Sequence, residues 1–231
     1  MSLLLPPVVR RRGPLLQGAL LLGPLLLLGC GDSEKTADSA AVPCVSFRGV
    51  VTDIDETLTT TDGEWLSQLA DPTHDPAMRP EANALMQAYA DQGYGIFYVT
   101  ARGEDAQLAD GRSAREATRD WLVDHDFPVD EDRLYLADGI GALGDSAVAY
   151  KSGVIDDLGT DGWSFDWAYG NADTDILAFQ ASEIPNDTIF LVGELAGTMG
   201  VEPIVDGDAY AAHRAVQEPR IIATDCAGEG G

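Results

Sequence analysis

The sequence predicts an α/β fold of three layers, in which helices cover both faces of a central parallel sheet. From about residue 44 onward, apolar runs typical of strands alternate with amphipathic stretches typical of helices. This alternation is the pattern of a parallel sheet, whose ligands lie beyond the carboxyl ends of the strands. The chain has 231 residues, 45% of them apolar, which is enough for one ordinary domain and a short appendage.

The elements follow one another regularly along the chain. Gly93 ends the first predicted helix, and only weaker elements follow residue 192. Short loops join the elements, so we expect no large cap domain. The predicted strands span 46–54, 94–100, 133–137, 163–170 and 187–192, and the predicted helices span 80–93, 113–126, 145–159 and 172–182.

The N-terminus has the pattern of an export signal. Three arginines at 10–12 precede a short apolar segment that Pro24 interrupts, which is too short and broken for a confident membrane span. The segment ends in "LLGC", which resembles the bacterial lipobox. The resemblance implies a signal peptide over 1–29, lipidation of Cys30, a flexible tether over 30–43 and a folded domain over 44–231. An ordinary signal peptide with an incidental cysteine is the alternative.

The lipobox resemblance also implies a location and leaves a cysteine pair. We expect a lipid-anchored protein on the periplasmic side of the cell envelope, and Gly31 favours the outer membrane over the inner one. With Cys30 acylated, Cys44 and Cys226 remain near the two ends of the domain. In an oxidising compartment these two predict a disulfide, and two free thiols are the alternative.

The charge of the chain limits its partners. The formal net charge is -25, which argues against nonspecific nucleic-acid binding. An anionic ligand would therefore need a local group of basic side chains. Arg112, Arg115 and Arg119 share one face of a predicted helix and Arg102 lies just before them, so these side chains could bind phosphate or anionic lipid. Ion pairing with Glu116 and other acids is the alternative.

Two aspartates end the first strand in a pattern that predicts chemistry. The pattern Asp-x-Asp also occurs at residues 130, 173 and 206, so alone it is weak evidence. Only Asp53 and Asp55 directly follow a buried-strand run and carry Thr57 after them. Side chains alternate along a strand, so both carboxylates face the same side of the sheet edge. Two carboxylates this close repel each other unless they share a cation, and Mg²⁺ suits their oxygen ligands.

This stretch, "VVTDIDET", resembles the first motif of the haloacid dehalogenase (HAD) superfamily of aspartate-nucleophile phosphatases. Three later motifs follow in the family's order. "GIFYVTAR" supplies Thr100, "VAYKSG" supplies Lys151, and "WAYGNADTD" supplies Asn171, Asp173 and Asp175. Lys151 is the one lysine of the predicted domain, because the chain's other lysine is Lys35 in the tether.

Within that superfamily, residues 47–195 resemble lipin-type phosphatidate phosphatases and the related C-terminal domain of phosphatidylinositol-transfer proteins. The matching stretches are "DIDETLTTTD", "FYVTARGEDAQLADGRSAREATRDWL" and "YGNADTDILAF". Two features depart from the lipin pattern: Glu56 stands where lipins usually have glycine, and the lipin sequence around the third-motif lysine is absent. These departures leave the substrate open.

The resemblance implies a role for each matched residue. Asp53 is the nucleophile and Asp55 the acid and base. Thr100 and Lys151 hold phosphoryl oxygens, while Asp53, the Asp55 carbonyl and Asn171 bind Mg²⁺. Asp175 positions Lys151 or contributes to the metal site, and Asp173 is the weaker candidate. Thr57, Arg102 and Arg119 are predicted to contact substrate.

Three functions fit these residues. The first is Mg²⁺-dependent hydrolysis of a phosphatidate-like or other membrane-associated phosphomonoester. The second is a nonspecific acid phosphatase of the bacterial envelope, whose first motif commonly reads Asp-x-Asp-Glu-Thr and so accounts for Glu56. The third is a non-catalytic phosphatidate-binding or lipid-transfer module. The sequence indicates no protein partner.

Overall fold

A computed structural model of the chain describes residues 47–204 and 210–224. All of them fall within one of the two units into which the chain divides, 42–231. The predicted signal peptide, the lipidated Cys30, the tether and the Cys44–Cys226 disulfide lie outside the described residues, so they stay predictions. No helix in the described ranges is both long and apolar enough to cross a bilayer.

Six parallel strands form the central sheet, in the order β3-β2-β1-β4-β5-β6. This is the doubly wound order of the Rossmann type, in which the direction of strand addition reverses beside β1. The strands are β1 (Phe47–Thr52), β2 (Gly95–Gly103), β3 (Leu134–Ala137), β4 (Trp163–Gly170), β5 (Ile189–Leu191) and β6 (Glu202–Pro203).

Six α-helices accompany the sheet in the described ranges. They are α1 (Gly63–Ala70), α2 (Ala82–Asp91), α3 (Ala114–Asp124), α4 (Asp145–Thr160), α5 (Asp173–Ala181) and α6 (Ala211–Gln217). The best-defined start is that of α3, where Ser113 and Glu116 form a reciprocal capping box. The predicted strands and the four predicted helices are present, with ends shifted by a few residues. The sequence did not predict α1.

Alternation along the strands divides the core into two layers. On β2, the buried side chains of Ile96 and Tyr98 join the cluster that also holds Tyr89 of α2 and Trp121 of α3. The intervening Phe97 and Val99 join the opposite cluster, which holds side chains of α4 and α5. The predicted three-layer architecture is therefore confirmed. No large insertion interrupts the described ranges, so the carboxyl edge of the sheet carries no large cap domain.

The segment after β6 fixes the loop that follows β1. The Tyr210 hydroxyl donates a hydrogen bond to the Thr57 carbonyl oxygen at 3.0 Å. One helical turn later, His213 is 2% exposed and its Nε2 lies 3.2 Å from the Tyr169 hydroxyl. That hydroxyl in turn lies 2.8 Å from the hydroxyl of Tyr89. A buried polar network thus joins α6, β4 and α2 beneath the candidate site.

Candidate active site

The predicted first and fourth motifs meet because β1 and β4 are neighbours. Thr52 and Tyr169 are paired in the register of these strands, and the Asp53 N–H donates to the Tyr169 carbonyl at 3.0 Å. Each strand ends at this level, so Asp53 and Asn171 emerge side by side at the carboxyl edge. This edge lies at the point where the strand order reverses, which is where doubly wound folds bind ligands.

Lys151 links two carboxylates in the interior of this edge. Its Nζ donates to Asp53 Oδ1 at 2.6 Å and to Asp175 Oδ1 at 2.5 Å. The three residues are 5% exposed or less. Ion pairs buried this deeply depend on every partner, since removing one leaves an uncompensated charge. α4 therefore delivers the domain's lysine to the nucleophile predicted from the first motif.

Burial and mutual charge shift the pKa of both partners. Burial raises the pKa of the Asp53 carboxyl to about 7, against the opposing effect of the Lys151 charge. Burial acts to lower the pKa of the Lys151 ammonium, but the charges of Asp175 and Asp53 outweigh burial and raise it. Lys151 therefore stays a cation, while further positive charge would favour the ionised, nucleophilic form of Asp53.

Asp175 is fully engaged by protein groups. One carboxylate oxygen accepts from Lys151, and the other accepts the backbone N–H groups of Asn171 and Ala172, both at 3.0 Å. A Cβ atom on Gly170 would lie 2.5 Å from the Asp175 Cβ, so this glycine is what allows the close approach. In this geometry both Asp175 oxygens orient Lys151 and the motif backbone, as the sequence analysis expected of this residue; its role as a metal ligand stays a prediction.

Hard oxygen atoms converge beside Asp53. The Thr57 hydroxyl lies 3.2 Å from Asp53 Oδ2 and 3.1 Å from Asn171 Oδ1, and its single hydrogen can serve only one of them at a time. Asn171 Nδ2 donates to Glu56 Oε2 at 3.2 Å, which turns the amide oxygen toward Asp53. A carboxylate and an amide oxygen are donors that suit Mg²⁺. Thr57, predicted to contact substrate, instead bridges the two candidate metal ligands.

The charge balance of this edge also fits a bound cation. Acidic side chains outnumber basic ones by five to three. The pKa of Asp62 is raised by partial burial and by the charges of Asp55 and Asp175, so Asp62 lies within their electrostatic reach. The acids are Asp53, Asp55, Glu56, Asp62 and Asp175, and the bases are Arg79, Arg102 and Lys151. The described residues contain no cluster of three or more His, Cys, Asp or Glu side chains arranged to hold a metal. Besides Asp53, any Mg²⁺ here would therefore rely on the Asn171 amide and on backbone carbonyl oxygen.

Arg102, predicted to contact substrate, instead forms an ion pair with Asp55. Its Nη2 donates to Asp55 Oδ1 at 2.7 Å and its Nε to Asp55 Oδ2 at 2.9 Å. Nη1 donates to the Thr118 hydroxyl at 2.9 Å, and the Trp65 ring packs over the guanidinium at 4.3 Å. The Arg102 side chain is 1% exposed, whereas that of Asp55 is 20% exposed. This two-pronged ion pair fixes the orientation of Asp55, so Arg102 is a positioning residue.

Thr100 lies at the end of the same strand as Arg102 and faces the same carboxylate. Its hydroxyl is 3.4 Å from Asp55 Oδ2 and accepts the Arg102 backbone N–H at 3.2 Å. The sequence indicated Thr100 from its motif, but it gave no signal for Thr118 or Trp65. Trp65 lies on α1, the helix that the sequence analysis missed.

The arginines of α3, and Arg112 just before this helix, do not form a basic site. Arg119 pairs with Glu131 at 2.8 Å, in the turn that enters the amino end of β3. Arg112 pairs with Asp110 and Arg115 with Glu104. The prediction that Arg119 contacts substrate is therefore corrected. The ion-paired alternative describes this face, although its acids are not Glu116, which caps α3 instead.

Glu56 occupies a backbone conformation that favours glycine. Its φ is 56°, in the left-handed region, and its carbonyl accepts two hydrogen bonds from Arg79, from Nε at 3.1 Å and from Nη2 at 3.0 Å. The resemblance to lipins places glycine at this position, and the structure gives the physical reason. In this chain the side chain adds a carboxylate beside Asn171.

Comparisons with known proteins agree with this geometry. Residues 50–193 match the family model described as the LNS2 domain of PITM 1-3. The chain is 27% identical over 180 residues to protein retinal degeneration B of Drosophila melanogaster, covering 77% of this chain and 13% of that protein. It is also 27% identical over 190 residues to the mouse membrane-associated phosphatidylinositol transfer protein 3, covering 82% of this chain and 17% of that protein. The chain thus spans less than a fifth of the length of these relatives.

A solved structure supports the fold. A protein from Mesorhizobium loti described as a HAD-like phosphatase superposes with a TM-score of 0.50 and 16% sequence identity. The superposition covers 75% of this chain and 87% of that one. The fold is therefore HAD-like, with the motif residues at the carboxyl edge of its sheet.

Proposed function

The chain belongs to the LNS2 domain family, and from this premise we propose that it hydrolyses a phosphomonoester carried by a membrane lipid, phosphatidate being the model substrate. One observation carries the proposal: the buried nucleophile candidate, Asp53, is paired with Lys151 while its second oxygen lies beside Thr57 and Asn171. A purely structural carboxylate would not need this set of partners at the carboxyl edge of a parallel sheet.

Asp53 and Asp55 divide the two displacements between them. An Asp53 oxygen attacks phosphorus in line, forming a carboxylate O–P bond as the bond to the lipid oxygen breaks. Asp55 gives that leaving oxygen a proton. Asp55 then takes a proton from water, whose oxygen attacks the aspartyl phosphate and releases inorganic phosphate and free Asp53. The ion pair with Arg102 holds the Asp55 carboxyl group in one orientation through both steps.

Mg²⁺ would be held by Asp53, Asn171 and the Asp55 carbonyl, where it would neutralise phosphate charge that the protein's own acids would otherwise repel. Lys151 keeps Asp53 fixed for attack and adds positive charge next to the phosphoryl group. Thr100 lies at the same edge and would donate its hydroxyl to a phosphoryl oxygen. The acidic surroundings therefore need both the cation and the buried lysine.

A phosphatidate-binding or lipid-transfer module is the second candidate. The observation that favours it is that the mouse relative described above is named as a membrane-associated phosphatidylinositol transfer protein. This chain keeps both aspartates, Thr57, Thr100 and Lys151 together in one site, which favours an enzyme.

The test compares substrates and a matched pair of variants. With Mg²⁺, we expect release of phosphate from phosphatidate in mixed micelles, faster than from soluble nucleotides. Asp53→Asn should abolish release and also prevent trapping of beryllium fluoride. Asp173→Asn makes the same chemical change at an exposed residue in the first turn of α5 and should leave both intact.

Three results would count against the proposal. Faster hydrolysis of nucleotides would favour the nonspecific acid phosphatase. Binding of phosphatidate without any release of phosphate would favour the transfer module. Equal trapping of beryllium fluoride by wild type and Asp53→Asn would remove Asp53 from the role of nucleophile.

A further inference from the structure

The loop between β3 and α4 exposes large apolar side chains to solvent. Ile140 is 91% exposed and Leu143 is 87% exposed, the two highest values among the large apolar side chains of the described ranges. We call this pair the apolar rim. The hydrolysis proposed above uses neither residue. Exposed apolar side chains that occur together mark an interaction surface more reliably than a single exposed apolar side chain does.

The backbone that presents the apolar rim is firmly held. The Gly139 carbonyl accepts the Asp105 N–H at 2.8 Å, and the Ala142 N–H donates to the Ala101 carbonyl at 3.0 Å. A Cβ atom on Gly103 would lie 2.0 Å from the Ile140 carbonyl carbon, so the loop rests directly on that glycine. The two side chains therefore point outward from a braced loop.

The apolar rim lies at the catalytic edge. The loop begins where β3 ends, and β3 is the neighbour of β2 in the sheet. Gly141 forms a bridge with Arg102, the residue that holds Asp55. The apolar rim and the candidate active site thus face the same side of the domain, one strand apart.

The charges around the rim decide which surface it fits. Asp138 and Asp145 flank the loop, Asp105 is exposed, and Glu104 is occupied by Arg115. These acids offer no attraction to anionic headgroups, so the contact must come from apolar burial.

We propose that the apolar rim inserts between the acyl chains of a bilayer rich in zwitterionic lipid. Insertion would hold the catalytic edge at headgroup level, where a lipid phosphomonoester presents its phosphate. The choice of occupant rests on the proposed function, since a lipid substrate is what brings a bilayer to this edge.

The first experiment reads insertion without needing turnover. Ile140→Trp and Ile222→Trp are compared in the full chain, with vesicles of phosphatidylcholine brominated on its acyl chains. Ile222 is 69% exposed and lies two residues before Thr224, whose N–H bonds to Gln92 near the amino end of β2. It is therefore a matched isoleucine at the opposite edge of the sheet.

We expect the fluorescence added by tryptophan at position 140 to shift to shorter wavelength and to be quenched by bromine. Fluorescence added at position 222 should do neither. Absence of quenching at position 140, or equal quenching at both positions, would overturn the proposal. Because the full chain is used, any anchoring by its N-terminal segment is common to both variants.

The second experiment uses the double variant Ile140→Ser/Leu143→Ser. Turnover of phosphatidate in phosphatidylcholine vesicles should fall by about a hundredfold or more, as expected for losing two buried aliphatic side chains at an interface. Turnover of a water-soluble phosphomonoester should be unchanged. Equal loss on both substrates would overturn the proposal. So would self-association of the wild type in sedimentation that the double variant abolishes, since the rim would then contact a second copy.

The two proposals can fail separately. Quenching at position 140 without hydrolysis of any phosphomonoester would remove the proposed function and keep the inserting rim. Hydrolysis of vesicle phosphatidate without quenching at position 140 would keep the proposed function and remove the inserting rim.

Discussion

The buried His213 gives a prediction about the pH dependence of stability. Burial, together with the smaller effect of the nearby Arg220 charge, lowers the pKa of this imidazole from 6.5 to about 4. The groups around it are the Tyr169 hydroxyl and the rings of Phe190 and Tyr210. None of them is an acid that could stabilise a charged histidine.

The magnitude follows from the two pKa values. Because the unfolded chain binds this proton more tightly, His213 stabilises the fold fully above pH 6.5 and progressively less as the pH falls toward 4. Between pH 7.5 and pH 5 the expected loss is about 2 kcal/mol, and the full loss below pH 4 is about 3 kcal/mol.

Asp53 acts in the opposite direction over the same pH range. Its raised pKa, about 7, means that the folded state holds this proton more tightly, so its contribution grows as the pH falls. The pH profile of the wild type alone would therefore mix two opposing effects. The difference between wild type and His213→Gln removes the contribution of Asp53, which both proteins share.

The assay is urea unfolding of wild type and His213→Gln at pH 7.5 and pH 5, in buffer with EDTA. Glutamine can keep a hydrogen bond to Tyr169 but does not titrate. We expect the stability advantage of the wild type over the variant to shrink by about 2 kcal/mol at pH 5. A change below about 0.5 kcal/mol, or one of opposite sign, would refute the view that His213 is held neutral by burial.

Three further outcomes follow from the site. Lys151→Met should lower the free energy of unfolding by about 3 to 5 kcal/mol in urea, because it leaves two buried carboxylates without their cation. Arg102→Lys keeps the charge but loses the fork that orients Asp55, so kcat should fall about tenfold to a hundredfold with little change in KM. Arg112→Lys, on the exposed face of ion pairs, should match wild type in the same kinetic assay. Glu56→Gly should raise the free energy of unfolding by about 1 kcal/mol, because glycine adopts a positive φ without strain; an unchanged or lower value would contradict this reason.

Much of the active-site edge could be predicted from local sequence. Strand-like runs predicted where each strand ends, and parallel strands bring their carboxyl ends to one edge. For that reason Asp53, Thr100 and Asn171 could be placed together before any coordinates were known. Lys151 could be added because it is the single lysine of the predicted domain and lies within a predicted helix, in the order of the third motif.

Other features depended on contacts between residues far apart in the chain. The sequence could not show that Arg102 binds Asp55, 47 positions away, or that Arg119 forms an ion pair with Glu131. A charged side chain has the same letter whether it is buried in an ion pair or free at the surface, and only packing decides which. The missed helix α1 is eight residues long, too short for a strong periodic signal.

The sequence by itself therefore determined the three-layer α/β fold and the order of its four motifs, because both depend on periodicity and on residue type along the chain. Only the tertiary structure decided how the charges are shared among those residues. It assigned Asp175 to Lys151, Arg102 to Asp55 and the left-handed backbone to Glu56. It also brought Ile140 and Leu143 to the carboxyl edge of the sheet, because a braced loop, and not local sequence, sets where their side chains point.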